Sequence, residues 1–392
     1  MKLSYLHRDN PRPAFGVLIP YGAAHDSNEH AGLAHLLEHM LFKSPTADDR
    51  IETRKELEFL NCDLNACTDQ QYTLVFVSGD KKNLEIMLHG LANLLKRPTL
   101  YQFDLERDVV LREIAEYDVD LSERSEQGLQ SVMLKPPFDR KILGYAHTLE
   151  KITEAQIQKT WQQMYNPSNM TIIGAGDIDP SLVATVCEQE FAQIASTQRR
   201  MPSPKTILPQ KLFAKGEERF ETNGQASISY GFHGPNQIHA RQISATSLVD
   251  SWLSDGEFSY LNQEFRENNG LVYSINSGID DFMGVSLYTY TVLVDANKID
   301  TTRKIFSRAQ SRVKALDRKT FVYEKQKHLT TLREVLHSNE DVVENMAWRI
   351  DCGLSAATYL DTIKHAKSCT FEQFRAAAQL VKFCEYVVRP AA

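Results

Sequence analysis

One order of elements occurs twice along this chain, and it constrains the fold more than any other feature of the sequence. In the first half, an apolar run predicts a strand, two amphipathic stretches predict helices, and two further strands and a series of helices follow. The first of these elements are expected at about 14–19, 32–42, 51–60, 62–68 and 72–78. The second half shows the same order at about 226–232, 240–253, 258–267, 271–277 and 285–294. The sequence therefore predicts two tandem copies of one α+β fold, each a mostly antiparallel sheet covered by helices.

A segment poor in apolar residues separates the two copies. Residues 196–204 contain two prolines and a single apolar side chain, Met201, which is typical of a linker between domains. The chain has 392 residues, and this length exceeds what one hydrophobic core usually serves. We therefore predict an N-terminal half at 1–195, a linker at 196–213 and a C-terminal half at 214–392.

Charge, hydropathy and cysteine content narrow the class of protein. The net charge of −7 gives no reason to expect a nucleic-acid partner. No stretch approaches the roughly 20 apolar residues that a membrane helix requires, and the first residues lack the apolar core of a signal peptide. Six scattered cysteines without a C-x-x-C pair are typical of reduced thiols. These features predict a cytoplasmic protein that binds neither nucleic acid nor membrane.

The strongest chemical signal is the pattern His35-Leu36-Leu37-Glu38-His39 inside the helix predicted at 32–42. A spacing of four residues places both imidazoles on one face of a helix, one turn apart, where both can reach one cation. Zinc prefers imidazole and carboxylate ligands, and catalytic zinc sites keep one position for water. We therefore expect His35 and His39 to bind zinc, and Glu38, on the same side of the helix, to act as the general base.

The motif alone leaves two alternatives open, namely a chance pattern among twelve histidines and a solvated helix face with two idle histidines. A zinc site also needs a third protein ligand, and the helix predicted at 103–133 offers Glu106 and Glu113. These glutamates lie two helical turns apart and share a face beside Val109 and Val110. A carboxylate on an apolar stripe is costly unless it is paired or bound to metal. The alternative for this helix is an exposed, charged surface.

Taken together, these segments resemble the pitrilysin/insulinase family of zinc peptidases, which includes the mitochondrial processing peptidases. The motif at 35–39 is similar to the family's inverted zinc motif, and Glu106-Arg107-x-x-Val110-x-x-Glu113 is similar to its downstream ligand helix. The resemblance implies that Glu113 is the third zinc ligand and that Glu106 orients the ligands from behind. It extends over about 14–330 and includes further similar segments at 138–144 and 165–170.

The same resemblance implies where a peptide would bind. Asn65-Ala66-x-Thr68 is similar to the family's substrate strand, although Leu60-Asn61 stands where the family usually has a glycine pair. A peptide is expected to add to this edge as an extra strand through main-chain hydrogen bonds. In the second half, Arg266 and Tyr273 match the family's substrate-anchoring motif, whereas the stretch aligned with the zinc helix, near 247–255, contains no histidine. The second half is therefore expected to be catalytically silent.

The resemblance thus implies a zinc metalloendopeptidase that carries one zinc ion per chain and hydrolyses oligopeptides or a peptide precursor. Because a closed chamber in the family needs four such halves, the chain is expected to form a homodimer or a heterodimer with a paralogous subunit. Two other functions stay open. One is a dedicated maturation subunit for a ribosomally made peptide or cofactor precursor, working with a paralogous partner, and the other is a non-catalytic scaffold or binding subunit of the same fold.

Overall fold

The computed structural model describes most of the chain and places its elements in two compact units. The described residues are 1–45, 48–192, 194, 214–234, 240–272, 274–282, 285–335, 337–356 and 361–391. Tyr273, predicted to anchor substrate, lies outside the described residues. No helix in the described part of the chain is long and apolar enough to span a membrane.

The first sheet has five strands in the order β1-β5-β2-β4-β3. These strands are β1 Lys2–His7, β2 Ala14–Ile19, β3 Asp63–Thr68, β4 Thr73–Ser78 and β5 Thr171–Gly176. Strand β1 pairs with β5 in parallel, and the other three pairs are antiparallel. The described helices of this sequence segment are α1 Leu33–Leu41, α2 Asp49–Phe59, α3 Leu84–Leu95, α4 Phe103–Val119, α5 Leu121–Met133, α6 Ala146–Leu149, α7 Glu154–Met164 and α8 Pro180–Phe191.

The second sheet repeats this arrangement, with the order β6-β10-β7-β9-β8 and one parallel pair, β6 with β10. Its strands are β6 Lys215–Phe220, β7 Gln225–His233, β8 Asn276–Phe282, β9 Val285–Asp295 and β10 Cys384–Pro390. The described helices of this segment are α9 Ala240–Ser254, α10 Tyr260–Asn262, which a π-helical turn continues, α11 Ile299–Val313, α12 Arg318–Val335, α13 Asn339–Asp351, α14 Asp361–Ser368 and α15 Phe371–Leu380. The predicted fold class is confirmed, since both halves have a mixed sheet covered by helices.

In the first unit, both faces of the sheet are covered. Phe15, Val17 and Ile19 of β2 point into a core shared with α1 and α3, whereas Ala14 and Leu18 belong to a second cluster with α13. This double burial explains why β2 reads as a continuous apolar run and not as an alternating strand.

In the second unit, small residues bring a helix close to the sheet. Alternate residues of β7, including Ile228 and Phe232, enter the core, while Ser227 and Ser229 accept or donate hydrogen bonds of 2.7 Å with Ser125 of α5. A Cβ atom at Gly128 of α5 would come within about 2.2 Å of the Tyr386 ring. The glycine is therefore required for this close packing.

The compact units are not the continuous segments 1–195 and 214–392. Residues 116–140 belong to the second unit, and residues 334–359 belong to the first. The first unit comprises 1–115, 141–205 and 334–359, and the second comprises 116–140, 206–333 and 360–392. Helix α5 thus belongs to the second unit and α13 to the first, because each buries its apolar side on that unit's sheet. Hydrophobic periodicity predicts these helices but carries no information about which sheet they cover.

Local details also differ from the sequence-based elements. The helix predicted at 103–133 is two helices, because Asp120 accepts hydrogen bonds from the backbone of Ser122 and Glu123 and starts α5. The strand predicted at 271–277 begins only at Asn276. The sequence patterns also missed β1 and β6. Strand β1 pairs in parallel with β5, and β6 pairs in parallel with β10. Strand β6, Lys-Gly-Glu-Glu-Arg-Phe, shows no apolar run that would predict a strand.

Candidate metal centre

Helix α1 is buried around most of its circumference, and the motif residues are the exception. His35, Glu38 and His39 are the half-buried positions of this nine-residue helix. The remaining residues of α1 are at most 7% exposed: Leu33, Ala34, Leu36, Leu37, Met40 and Leu41. The helix therefore opens to the surface only where the three polar side chains emerge, as the predicted zinc face requires.

The start of α1 is held by a buried carboxylate and by two touching glycines. Asp26 accepts hydrogen bonds from the backbone N–H groups of Gly32, at 3.0 Å, and Ala34, at 3.2 Å. A carboxylate at this end also complements the helix dipole. Gly32 has a φ of 97°, and a Cβ atom there would meet the carbonyl oxygen of Leu143, while one at Gly144 would meet Ala31. The segment at 138–144, singled out in the sequence, thus includes the glycine that packs on the entry to α1.

Helix α4 brings the two glutamates against α1. Glu113 Oε2 lies 3.7 Å from His39 Nε2 and 3.9 Å from His35 Nε2. Glu106, two turns earlier on the same helix, is only 5% exposed and places Oε1 2.9 Å from His39 Nδ1. The two-turn spacing of these glutamates therefore lets one helix reach both nitrogen atoms of His39, one with each carboxylate.

His35, His39 and Glu113 form the one group in the described part of the chain with the residue types and spacing to hold a metal ion. One ligand atom from each lies within 4.8 Å of the others. Ligands of a tetrahedral zinc ion with bonds near 2 Å lie roughly 3.3 Å apart. The 3.7 and 3.9 Å separations fit this geometry after a shift of a few tenths of an ångström. Two imidazoles and a carboxylate are also a donor set that catalytic zinc sites use.

The protonation state of His35 suits a metal ligand. Burial, and to a smaller extent the neighbouring His39, lowers the pKa of His35 to about 3. The imidazole is therefore neutral near pH 7, and a neutral imidazole has one ring nitrogen whose lone pair can bind a cation. The two rings lie edge to face with centroids 4.6 Å apart.

Behind His39, a row of contacts through Glu106 to Lys43 fixes the imidazole. Glu106 Oε1 contacts His39 Nδ1 at 2.9 Å, and Glu106 Oε2 contacts Lys43 Nζ at 2.5 Å. A carboxylate that accepts the Nδ1 proton leaves Nε2 as the free ligand atom and makes it more basic. The lysine balances the charge of a glutamate that is nearly inaccessible to water. Lys43 was not identified from the sequence, because no local rule connects it with a residue on α4.

Glu38 lies beside the ligand group and is held by the edge strand of the sheet. Thr68 Oγ1 of β3 donates to Glu38 Oε2 at 2.5 Å. Burial raises the pKa of Glu38, and the hydrogen bond from Thr68 opposes that shift. Carboxylates with a raised pKa beside a metal group are suited to proton transfer near neutral pH.

Strand β3 ends the first sheet and pairs within the described residues only with β4. Asn65 and Ala66 lie in the middle of this strand, where Asn65 Oδ1 accepts the backbone N–H of Ala66 at 2.9 Å. An edge strand next to the metal group is a surface to which an extended peptide can add.

Arg266 lies in the second unit, in the π-helical turn at Gln263–Glu267. Its side chain is 51% exposed and its Nε lies 3.3 Å from Glu267 Oε1. Arg266 is thus an accessible cation, and its substrate-anchoring role stays a prediction.

Comparison with known proteins identifies the family of this chain. The model of the insulinase family, peptidase family M16, matches residues 5–146, and the model of the peptidase M16 inactive domain matches residues 151–319. An uncharacterized zinc protease of Mycobacterium tuberculosis is 28% identical over 274 residues, covering 68% of this chain and 62% of that protein. This chain therefore spans about three fifths of the length of such curated relatives.

Solved structures share the fold over nearly the whole chain. A protease from Helicobacter pylori has a TM-score of 0.89 at 18% identity, covering 99% of this chain and 97% of that one. A peptidase M16 inactive domain from Pseudomonas fluorescens has a TM-score of 0.83 at 18% identity, covering 100% and 95%. Two models of the M16 family match the sequence, and solved structures share the fold over both halves. The chain therefore belongs to the M16, or insulinase, family of peptidases.

Proposed function

We propose that this protein is a zinc metallopeptidase that hydrolyses peptide bonds in oligopeptides or a peptide precursor. The observation that carries the proposal is the convergence of ligand atoms from His35, His39 and Glu113 within 4.8 Å. Glu38 lies on the same helix as the two histidines. The family and the names of the relatives, which are zinc proteases, support the same reading.

Each residue of the site has a separate task in this proposal. One zinc ion held by His35, His39 and Glu113 would supply the Lewis acidity that activates a water molecule and polarises the scissile carbonyl. Glu38 takes a proton from the attacking water and later delivers a proton to the leaving amine. Glu106 fixes the orientation and tautomer of His39, and Lys43 pairs with the other carboxylate oxygen of Glu106.

The peptide is proposed to add to the outer edge of β3. Its main chain would pair with the strand that contains Asn65 and Ala66, and the Asn65 side chain would release the Ala66 N–H to do so. Main-chain pairing depends little on side chains, so we expect affinity for many sequences. Thr68, at the end of the same strand, contacts Glu38, so a peptide in this register passes close to the general base.

The first test is to purify the chain, measure zinc per chain and follow hydrolysis of a mixed library of peptides of roughly 10–30 residues, a range that a closed chamber holds. We expect about one zinc per chain and cleavage that a chelator abolishes. Cleavage of many unrelated peptides indicates a general peptidase, whereas cleavage of one precursor at one bond indicates a maturation enzyme. Absence of bound zinc would contradict the proposal and favour a scaffold subunit of this fold.

We further propose that two chains associate and that Arg266 and Tyr273 of one chain serve the zinc site of the other. Mixing two inactive variants tests this directly. The variants His39→Ala and Arg266→Ala are each expected to be inactive alone and to regain part of the activity when mixed. In a mixed dimer, the Arg266→Ala chain supplies intact zinc ligands and the His39→Ala chain supplies Arg266, so one composite site is complete. No recovery, together with a monomeric mass in solution, would contradict association, and recovery only with an added co-purifying chain would indicate a heterodimer.

A further inference from the structure

We propose that Thr68 is a positioning residue for Glu38, because its hydroxyl holds one carboxylate oxygen and leaves the other to receive the proton. The inference rests on the proposed function for its catalytic consequence. The contact itself, Thr68 Oγ1 to Glu38 Oε2 at 2.5 Å, joins the last residue of β3 with the middle of α1.

Both ends of this contact are fixed by the fold. Side chains of β3 alternate, and Leu64, Ala66 and Thr68 are the less exposed set. Leu64 and Ala66 pack against the core cluster that contains α1, so the strand brings the hydroxyl at position 68 to the same face. Thr68 also pairs in register with Thr73 of β4, which sets its position along the sheet.

Glu38 has no other hydrogen-bonded side chain among the described residues. Its side chain has three rotatable bonds, and it interacts electrostatically with His39 and Glu113 of the ligand group. A carboxylate this close to the metal ligands can itself turn and bind a divalent cation, since carboxylates are ordinary zinc ligands. Donation from Thr68 to Oε2 opposes that rotation and keeps Glu38 available as a base and not as a ligand.

Two substitutions at position 68 distinguish a hydrogen-bonding role from a packing role, because a hydroxyl and a methyl group are similar in size. Thr68→Val keeps the shape of the side chain and removes the donor, whereas Thr68→Ser keeps the donor and removes a methyl group. We expect Thr68→Val to lower kcat about 10–100-fold, because misplacement of a reacting group by about 1 Å has an effect of this size. KM and zinc content should remain within about twofold of the wild type, and Thr68→Ser should restore most of kcat.

Thr73→Val is the matched control. Thr73 is the cross-strand partner of Thr68, and its hydroxyl donates to the carbonyl oxygen of Tyr21 and not to Glu38. This variant should unfold at lower urea concentration but keep the wild-type kcat. A kcat for Thr68→Val within twofold of the wild type, or a kcat for Thr68→Ser as low as that for Thr68→Val, would overturn the inference.

A measurement without catalysis separates this inference from the proposed function. In the metal-free protein, Thr68→Val, Glu38→Ala and the double variant form a cycle of urea unfolding midpoints. We expect the shift of the double variant to differ from the sum of the single shifts, because each change breaks the same hydrogen bond. Additive shifts would overturn the inference. If the wild type cleaves no peptide, the proposed function fails, while non-additive midpoints would still support the hold of Thr68 on Glu38.

Discussion

Helix α1 of the first unit has a counterpart in helix α9 of the second, and the two surfaces can be compared residue by residue. Along α1, half-buried His35 and Glu38 flank two buried leucines. Along α9, half-buried Ser247 and Asp250 flank buried Leu248 and Val249 in the same order. The pattern His-x-x-Glu-His thus corresponds to the segment Ser247–Ser251, in which no side chain is an imidazole.

The helix opposite shows the same correspondence. Glu106 of α4 and Glu324 of α12 are both 5% exposed. Glu106 contacts His39, and Glu324 accepts a hydrogen bond from Ser251 Oγ at 2.8 Å. Seven residues beyond Glu106 lies Glu113, the proposed third ligand, whereas seven residues beyond Glu324 lies a threonine.

A lysine balances the buried glutamate in both units but comes from different helices. Lys43 follows α1, whereas Lys327 belongs to α12 and lies 3.4 Å from Glu324 Oε2. Lys327 also donates to the carbonyl oxygens of Ser251 and Asp255 at the end of α9, where a cation complements the helix dipole. The buried glutamate with its lysine is therefore a structural element common to both units. The proposed metal chemistry depends on His35, His39 and Glu113, the one such group among the residues that the structure describes.

The largest expected effect is loss of a metal ligand. His39→Ala removes an imidazole, so we expect zinc affinity to fall by more than the roughly 10–100-fold typical of losing an outer hydrogen-bond partner, and turnover to vanish. Its counterpart Ser251→Ala should leave zinc and turnover unchanged and lower only stability. Metal analysis after dialysis checks both variants, and a His39→Ala protein that retains zinc would break the comparison.

The next effect concerns the base. Glu38→Gln should keep zinc and lower kcat by about 10²–10⁴-fold, because the amide cannot accept the proton. The matched change Asp250→Asn in α9 should leave kcat unaltered. Zinc content and peptide hydrolysis measured on both proteins test this pair, and loss of zinc in Glu38→Gln would show that Glu38 is a ligand.

Replacing the lysines should sharpen the comparison further. Lys43→Met leaves Glu106 without its cation, so we expect zinc affinity to fall about 10-fold and the free energy of unfolding to fall by about 2–3 kcal/mol. Lys327→Met should lower stability by a similar amount and leave zinc affinity as it is. Competition with a chelator and urea unfolding give the two quantities. Equal losses of zinc affinity in both variants would contradict the distinction between the units.

The smallest effect is a pH dependence confined to the second unit. Burial raises the pKa of Asp250 from its ordinary value to about 6, although Tyr290 donates to its carboxylate at 2.6 Å. The pKa of Asp250 is higher in the folded protein than in the unfolded chain, so protonation of Asp250 stabilises the fold at low pH. This contribution to the free energy of unfolding is lost as the pH rises through about 6. Between pH 4 and pH 8, the wild type should therefore lose about 1–2 kcal/mol more stability than Asp250→Asn. Urea unfolding at both pH values measures this difference, and equal losses would place the Asp250 pKa near its ordinary value.

Much of the fold and the centre of the site were predictable because their signals are local. The spacing of His35 and His39 on one helix and the apolar run of β2 depend on neighbours along the chain, where helical and strand periodicity act. The linker predicted at 196–213 lies outside the described residues and stays a prediction. Glu113 and Glu106 were less secure from the sequence alone, since their spacing on α4 also fits an exposed helix, and only the resemblance singled them out.

Contacts between distant segments were decided by the tertiary structure. No periodicity connects Thr68 with Glu38 or Lys43 with Glu106, because these bonds join a strand to a helix or one helix to another. Strands β1 and β6 formed without a strong apolar signal, since backbone pairing with β5 and β10 is nearly independent of side-chain type. The sequence by itself determined which residues can carry the chemistry, through local spacing. The tertiary structure decided which distant side chains orient and balance them, because those interactions depend on proximity in space that the order of residues does not encode.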